Sequence, residues 1–327
     1  MLTYILRRIV TAISVVLVTM VASFALFFLA PTDPAGVICG PKCNPARYAE
    51  ISKSLNLDEP VTSQITSYLK GIVAGRTFTS GGTAIDCPAP CLGYSYQLGQ
   101  PVTKLIANAL PVTVSIVLGA AVVYLGLGTL FGVIAGRFRG TSLDRFTVGS
   151  SLVIGSVPYF VVALIVALYV AGTFLPRAGY TSMLENPLAW ATGLIAAWLT
   201  IGITNSASYT RFTRASMIES LGEDYVRTAR SKGISERRVV YKHGLRAAVT
   251  PTATIFGLDL AFALGGAIFT ERIFGLPGLG VLTLRAFNVY DLPVLMATVL
   301  IGSIVLVTMN LIVDIMYTVL DPRVRLG

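Results

Sequence analysis

Long runs of apolar residues alternate with short charged segments along most of this chain. A helix needs about 20 apolar residues to cross the hydrocarbon core of a bilayer. Five runs of that length carry no charged residue, and a sixth is interrupted only by Asp259. The six predicted spans are Ile9–Ala30, Leu105–Gly136, Phe146–Pro176, Asn186–Thr210, Ala247–Thr270 and Leu292–Val313. Uninterrupted apolar runs predict helices rather than barrel strands, whose apolar residues alternate.

The composition supports a membrane protein. Of the 327 residues, 54% are hydrophobic and 13% are charged, whereas about 25% of the residues of a soluble domain are charged. A soluble fold could not cover so much apolar surface with polar side chains. A water-soluble enzyme, a nucleic-acid-binding protein and a disordered scaffold are therefore excluded, and the sequence predicts an all-α integral membrane protein with six transmembrane helices.

The basic residues predict the orientation of the spans. One side of the predicted topology carries 16 of the 25 Lys and Arg residues, including nine between Arg211 and Arg246. Six of the other nine lie in the long segment 31–104, and long segments contribute little to orientation. The comparison of short loops places both termini in the cytoplasm. The 22-residue first run is longer than the core of a signal peptide, about 7–15 residues, which favours a retained span.

These spans divide the chain into four parts. Residues 1–30 form an N-terminal tail and the first span, and residues 31–104 form an extracytoplasmic loop region. Residues 105–320 form a core of five helices that carries the cytoplasmic loop 211–246, and residues 321–327 form a cytoplasmic tail.

The extracytoplasmic segment contains every cysteine of the chain. Two short helices are predicted in it, at Tyr48–Leu55 and Thr62–Ile72. The cysteines occur as two pairs with three residues between partners: Cys39, Cys43, Cys87 and Cys91. An oxidising compartment favours two disulfides, although four paired cysteines are also typical of a zinc site. Three disulfide connectivities remain open.

The cytoplasmic loop 211–246 predicts two short helices joined by a glycine turn. The run from Glu223 to Gly233 has acidic residues at its start and basic residues at its end, which suits the helix dipole. Gly233 takes the position after a helix where glycine is favoured, and Ser235 can cap the second helix. Tyr225 and Ala229 share one side of the first helix. The loop either docks on a partner protein or lies on anionic lipid.

Asp259 is the one charge well inside a predicted span. Such a group normally faces protein or a water-filled cavity, so Asp259 either borders a pathway or makes a structural hydrogen bond. Glu271 and Asp314, near the span ends, are expected at the interface. Pro158 predicts a kink in the third span.

The loop from Arg272 to Pro293 is predicted to face outward. Its turn at Pro277 and Gly278 suggests a re-entrant hairpin or a short surface helix that contacts an external protein or caps a pathway.

Motifs of common enzymes are absent from the sequence. It contains no phosphate-binding loop, no metalloprotease helix motif and no serine-nucleophile elbow. The single histidine, His243, is interpreted as a surface residue. We therefore expect no catalysis and no metal ligands in this chain. A stand-alone secondary transporter is a remote alternative, because repeated halves are not evident in the sequence.

The segment Tyr225–Val239 resembles the coupling loop of permease subunits of ABC importers, and most closely that of the dipeptide/oligopeptide permease family. The matching positions and their immediate neighbours supply the predicted coupling residues: Tyr225, Arg227, Thr228, Ala229, Gly233, Ser235 and Arg237. Arg227 and Thr228 depart from the Glu-Ala of the wider family pattern, and Arg246 replaces its proline. The peptide branch commonly shows these departures.

The resemblance extends along nearly the whole chain in the family's order. Segments at Leu29–Ala35 and Leu57–Pro60, the turn Gly275–Gly280, and the C-terminal signatures at Asn310–Asp314 and Leu320–Arg323 are similar to the family's. Residues 79–92 look like an insertion, which leaves the outer-loop structure open.

The resemblance implies a type I ABC importer permease in the cytoplasmic membrane of a bacterium, with six spans. Implied partners are a second, homologous permease, two cytoplasmic ATPase subunits (or one fused ATPase), an extracytoplasmic peptide-binding protein or lipoprotein, and membrane lipid, but no nucleic acid. This chain would bind no cofactor, since ATP and magnesium belong to the ATPases. Peptide, nickel complex, haem and glutathione remain open as substrates.

Overall fold

The computed structural model describes residues 2–26, 33–40, 43–55, 57–80 and 83–320. Within these ranges it describes all side chains except those of residues 2–5, 80, 250, 251, 253, 254, 258, 261–266 and 313–320. The tail 321–327 and residues 27–32, which include most of the predicted Leu29–Ala35 signature, lie outside the described residues.

The described chain consists of fourteen α-helices, four short strands and two π-helical segments. The outer elements are α1 (Leu2–Phe24), α2 (Pro34–Cys39), α3 (Pro45–Ser54), α4 (Val61–Ala74), β1 (Arg76–Ser80), β2 (Thr83–Cys87), β3 (Tyr94–Ser95) and β4 (Gln100–Pro101). The next are α5 (Val102–Arg137), α6 (Ser142–Ser156), α7 (Tyr159–Ile165) with a π segment Val166–Val170, and α8 (Pro187–Gly222). The last are α9 (Asp224–Ser231), α10 (Glu236–Arg238) with a π segment Val239–Gly244, α11 (Leu245–Gly266), α12 (Ile268–Phe274), α13 (Leu279–Asn288) and α14 (Leu292–Leu320).

The helices agree with the predicted spans at most positions. Among the described residues, four helices are long and apolar enough to span a bilayer, and α6 with α7 gives a fifth if the bent pair is one span. The predicted span Ala247–Thr270 coincides with α11, whose side chains are only partly described. The chain is thus helical and of membrane type, and six spans remain a prediction.

The third predicted span is broken rather than kinked. Helices α6 and α7 meet at an angle of 88° across the break at Pro158. Proline has no N–H to donate to the preceding turn and its ring clashes with it, which ends α6 at Ser156. The bend lies at Pro158, where a kink is predicted, and a single span from Phe146 to Pro176 stays a prediction.

The chain divides into two compact units, and the first contains residues 1–113 and 277–308. The predicted outer helices are confirmed as α3 and α4, each one to three residues longer at its start. The outer segment also contains two antiparallel hairpins, β1–β2 and β3–β4, so the all-α prediction is wrong there. The proposed insertion 79–92 covers most of the first hairpin. Alternating residues of a hairpin bury one face, and Phe78 is accordingly buried against Tyr94, with 5.8 Å between ring centroids.

The cysteines form two disulfides, Cys39–Cys43 and Cys87–Cys91. This pairing favours the disulfide alternative over zinc. Within the described ranges no group of three or more His, Cys, Asp or Glu residues is arranged to hold a metal ion.

A buried hydrogen bond joins two parts of the first unit that are far apart in the sequence. The hydroxyl of Ser95 donates a hydrogen bond to the carboxylate of Asp291, and both residues are fully buried. Burial raises the pKa of Asp291, because the charged form loses its hydration.

The second unit contains residues 114–276 and 309–327, and α8 is its central helix. Three glycines of α5, spaced by four residues, allow α8 to approach closely. A Cβ added to any of the three would collide with a side chain of α8; the pairs are Gly128 with Tyr209, Gly132 with Thr213, and Gly136 with Met217. The indole of Trp198 donates to the main-chain oxygen of Ser115 at 2.9 Å, which adds a polar contact between the same helices.

Candidate functional site: the loop between the fourth and fifth predicted spans

The loop 211–246, which is predicted to be cytoplasmic, folds as predicted into a helix, a glycine turn and a second helical segment. Helix α9 has Asp224 in its first turn and Arg230 in its last, which suits the helix dipole. Gly233 adopts φ +72°, the left-handed conformation that glycine reaches without steric cost. The amide of Gly233 donates to the carbonyl of Arg230 at 2.9 Å, and the amide of Ile234 donates to Ala229 at 3.3 Å, which closes the end of the helix.

A small apolar cluster holds the two helical segments together. Val226, Ala229 and Val239 are each at most 5% exposed, and Leu221 and Ile234 pack against them. Tyr225 and Ala229 lie four residues apart on α9, but they differ in exposure, because Ala229 belongs to this cluster while Tyr225 is 44% exposed. The outer surface is formed by the other predicted coupling residues, all of them exposed: Tyr225, Arg227, Thr228, Gly233, Ser235 and Arg237.

An ion pair bridges the glycine turn. Arg230 donates two hydrogen bonds to the carboxylate of Glu236, at 2.8 and 3.2 Å. The guanidinium lowers the pKa of Glu236, and the carboxylate raises the pKa of Arg230. Sequence reasoning missed this pair, although the opposite charges on either side of Gly233 were a usable signal. Ser235 precedes α10 as predicted but makes no side-chain capping bond.

The loop rests on a second apolar cluster that joins it to the long helices. Val240 of the π segment packs with Met217 of α8, Val133 of α5 and Ala248 of α11. Gly244 lies so close to Leu221 that an added Cβ would be 2.8 Å from its Cδ2 atom. A displacement of the loop is therefore transmitted to α8 and α11 through packed side chains.

Helices α6 and α8 are joined near their predicted cytoplasmic ends by a second ion pair. Arg214 binds both carboxylate oxygens of Asp144, at 2.6 and 2.8 Å. Asp144 also accepts from the amide of Gly140 at 2.9 Å. This bidentate pair fixes the two helices next to the loop. No local pattern predicts this ion pair, because its partners are 70 residues apart.

Asp259 makes the structural hydrogen bond that the sequence left as one of two alternatives, and its place beside a pathway stays a prediction. Its Oδ2 atom accepts a hydrogen bond from the hydroxyl of Tyr209 on α8 at 2.9 Å, so a structural bond to a neighbouring helix is present. The residue is also exposed. Tyr209 itself is buried and packs on Tyr124, with 4.9 Å between ring centroids. An exposed carboxylate that accepts one hydrogen bond is suited to bind a cation or a water molecule.

The outer turn forms short helices. Helix α12 ends at Gly275 with φ +67°, and α13 begins after Gly278. Pro277 is exposed whereas Gly278 is buried, and the amide of Leu279 donates to the hydroxyl of Thr113 at 2.8 Å. The short-helix alternative is thus present rather than a hairpin.

The two acidic residues near the span ends have different outcomes. Glu271 on α12 is fully buried in the protein rather than solvated, and its position at the membrane interface stays a prediction. The side chain of Asp314 lies outside the described residues.

Comparisons with known proteins identify the family. The family model for the binding-protein-dependent transport system inner membrane component matches residues 128–326, and the model of its N-terminal region matches residues 1–117. A provisionally named peptide transport system permease protein of Brucella abortus (strain 2308) is 36% identical over 98% of both chains. A probable peptide ABC transporter permease protein of Sinorhizobium fredii is 34% identical over 98% of this chain and 99% of its own length.

A glutathione transport system permease protein of Escherichia coli O6:H1 is 33% identical over 99% of both chains. The matches cover the chain from end to end, as the resemblance of the coupling loop and the outer signatures predicts. The chain belongs to the family of binding-protein-dependent transport system inner membrane components, and it is a multi-pass, non-catalytic permease subunit of an ABC transporter.

Proposed function

We propose that this chain is the permease subunit of an ATP-driven importer of dipeptides or oligopeptides, and that it forms half of the translocation pathway. The observation that carries the proposal is the structure of the predicted cytoplasmic loop. It is a compact helical module with a buried apolar cluster and an outer surface of exposed basic and polar residues. Relatives of matching length are named as peptide permeases, which supports the substrate class.

The finer features of the importer belong to the same proposal. The chain has six spans in the type I permease fold, both termini in the cytoplasm, and a bacterial cytoplasmic membrane as its location. It pairs with a second, homologous permease and receives peptide from an extracytoplasmic binding protein or lipoprotein. Two ATPase subunits, or one fused ATPase, bind ATP and magnesium, while this chain binds no cofactor. Membrane lipid surrounds the spans, and nucleic acid is not a partner.

The coupling role assigns a task to each face of the loop. The exposed residues of α9 and the Gly233 turn enter a cleft of one ATPase, and the buried face transmits ATPase closure to α8 and α11. The second apolar cluster around Met217 and Val240 supports this route, because it joins the loop to both long helices.

Co-purification tests the assembly. The tagged chain, purified in mild detergent, should co-purify with two ATPase subunits and a second permease. The purified complex should hydrolyse ATP faster in the presence of peptide. Gly233→Trp should release the ATPases, since the bulky ring occupies the exposed turn. Gly233→Asn is the matched control, because asparagine tolerates the left-handed conformation. A wild-type chain that purifies alone would contradict the proposal and favour a self-sufficient transporter.

Asp259 is proposed to border the pathway, where its exposed carboxylate meets the cationic amino terminus of a peptide. Asp259→Asn removes the charge but keeps an oxygen that accepts from Tyr209. Uptake should fall in Asp259→Asn and remain normal in Tyr209→Phe if the charge is required. The opposite result would show that only the hydrogen bond between α8 and α11 matters.

The outer turn is proposed to contact the binding protein or cap the pathway. Replacing Pro277 and Gly278 with alanine should reduce uptake while the assembled complex is retained on size-exclusion chromatography. Unchanged uptake would remove this role.

Glutathione is a second candidate substrate, because a relative of equal length is named for its transport and glutathione is itself a tripeptide. Competition of labelled dipeptide uptake by unlabelled glutathione separates the two candidates. Nickel complexes and haem have no comparable support.

A further inference from the structure

Arg211 places a positive charge at the predicted cytoplasmic end of the fourth span. It follows the last residue of the predicted fourth span, and helical side chains lean toward the N-terminus of their helix, which here is the bilayer side. Its Nη1 atom donates to the main-chain oxygen of Ser151 at 3.3 Å. Ser151 is a buried residue of α6.

A neighbouring arginine on the same helix provides an internal comparison. Arg214 has a carboxylate partner in Asp144. Arg211 donates only to two neutral oxygens, those of Ser151 and of the Ser208 side chain, both at 3.3 Å. Among the residues that the structure describes, no carboxylate forms an ion pair with Arg211. Two arginines one helical turn apart thus differ in that only one has a counter-charge.

The surroundings of Arg211 leave access to it. A Cβ added to Gly155 would lie 3.4 Å from Nη1 of Arg211, so the glycine leaves space beside the guanidinium. Gly155 is exposed, and Arg211 and Ser208 are partly exposed. A guanidinium carries five N–H donors in a planar fork that matches a carboxylate, and the two long bonds leave most of them available.

An arginine at the end of a span that has no carboxylate partner among the described residues keeps N–H donors for a passing anion. We propose that Arg211 binds the carboxylate of the transported substrate, the C-terminal carboxylate of a peptide, as it passes toward the cytoplasm. This inference rests on the proposed function of peptide import.

The site of Arg211 is distinct from that of Asp259. Tyr209 donates the hydrogen bond to Asp259 and lies two residues before Arg211 on α8. The two side chains therefore project about 200° apart around the helix. Substitutions at Asp259 and Arg211 therefore act on separate contacts.

The experiment uses the complete importer with its binding protein in proteoliposomes. Uptake of a peptide with a free C-terminal carboxylate is compared with uptake of the same peptide carrying a C-terminal amide. In Arg211→Gln the ratio of acid to amide uptake should fall about tenfold relative to wild type, the effect of one charge-assisted hydrogen bond. Because the ratio is compared between variants, any preference of the binding protein cancels.

Two further variants complete the design. Arg211→Lys keeps the charge without the fork and should give an intermediate ratio; it also replaces Arg211→Gln if that variant does not assemble. Arg145→Gln removes an exposed arginine whose side chain donates only to the carbonyl of Gly140, within the described residues, and should leave the ratio unchanged.

Equal losses for both peptides, or no loss for either, would overturn the role of Arg211 and leave peptide import standing. A loss that follows the anionic lipid content of the vesicles would assign Arg211 to a lipid phosphate instead. A wild-type complex that transports neither peptide would overturn both proposals.

Discussion

The outer segment 31–104 and the cytoplasmic loop 211–246 both lie outside the predicted spans, yet they are stabilised differently. The outer segment is closed by contacts between distant residues, and its Ser95–Asp291 bond joins positions 196 residues apart. The loop is closed by neighbours, with Arg230 and Glu236 only six residues apart. The first arrangement produces a fixed scaffold, whereas the second produces a small module that moves with the helices that carry it.

The largest expected effect comes from placing a charge in the buried apolar cluster of the loop, which contains Val226, Ala229 and Val239. Val226→Asp should abolish peptide-stimulated ATP hydrolysis, because an unpaired buried charge costs about 3–5 kcal/mol and would detach α9 from Val239. Protease protection of the outer segment should be unchanged, because the Ser95–Asp291 hydrogen bond and the two disulfides that stabilise it involve no residue of 211–246. Val226→Ile, a conservative change, is the control, and stimulated hydrolysis that survives in Val226→Asp would contradict the role of this cluster.

Removing the buried hydroxyl of the outer segment should have the next largest effect. Ser95→Ala removes the hydroxyl donor to the carboxylate of Asp291 in a buried site and leaves the main-chain donor of Val294, which costs about 1–3 kcal/mol. The thermal midpoint of the purified complex should fall, and the double variant with Asp291→Asn should recover part of the loss. The control is Ser63→Ala, which removes a partly exposed hydroxyl that donates to the carboxylate of Glu59. An equal midpoint in Ser95→Ala would mean that the contact contributes nothing.

The disulfides should contribute less than their number suggests. Each closes a loop with a sequence separation of only 4 residues, and the loop-closure relation then gives about 2 kcal/mol each. Replacing Cys87 and Cys91 together with serine should lower the thermal midpoint modestly while the complex still assembles. Complete loss of assembly would show that this bridge organises the outer fold rather than supplementing it.

The smallest expected effect concerns the pH dependence of stability, which should have opposite signs in the two regions. Burial raises the pKa of Asp291, so its contribution is present at low pH and is lost as the pH rises through its folded pKa. Arg230 lowers the pKa of Glu236, so that contribution is present above the usual glutamate range and is lost as the pH falls. The exposed pair contributes about 0.5 kcal/mol at most.

Hydrogen exchange, corrected for its intrinsic pH dependence, can follow each region separately. Between about pH 7 and about pH 4, protection of the outer segment should rise and protection of the loop should fall slightly. Asp291→Asn and Glu236→Gln should each flatten the response of their own region. If protection changed in the same direction in both regions, Asp291 and Glu236 would not be the groups that determine the pH dependence.

The same contrast explains what the sequence predicted. Apolar runs located the helices, and local signals located α9 and the left-handed Gly233, because both depend on neighbouring residues. The inward face of Ala229 was missed, since it depends on Val239 across the turn. The Asp144–Arg214 and Ser95–Asp291 pairs join distant segments, and nothing local to either partner indicates the other. The first hairpin was seen only as an insertion because its strands are short.

The three glycines of α5 have a mechanical consequence. Helix α8 has 36 residues and is therefore about 54 Å long, which exceeds the thickness of a bilayer core, about 30 Å. Side chains of α8 sit in the notches left by Gly128, Gly132 and Gly136, so lengthwise sliding of α8 along α5 would drive those side chains into backbone. A force applied at the predicted cytoplasmic end of α8 should therefore tilt α5 and α8 together as one rigid pair. A displacement of a few ångströms at the loop then moves the opposite end of α8 as well, because α8 does not slide along α5.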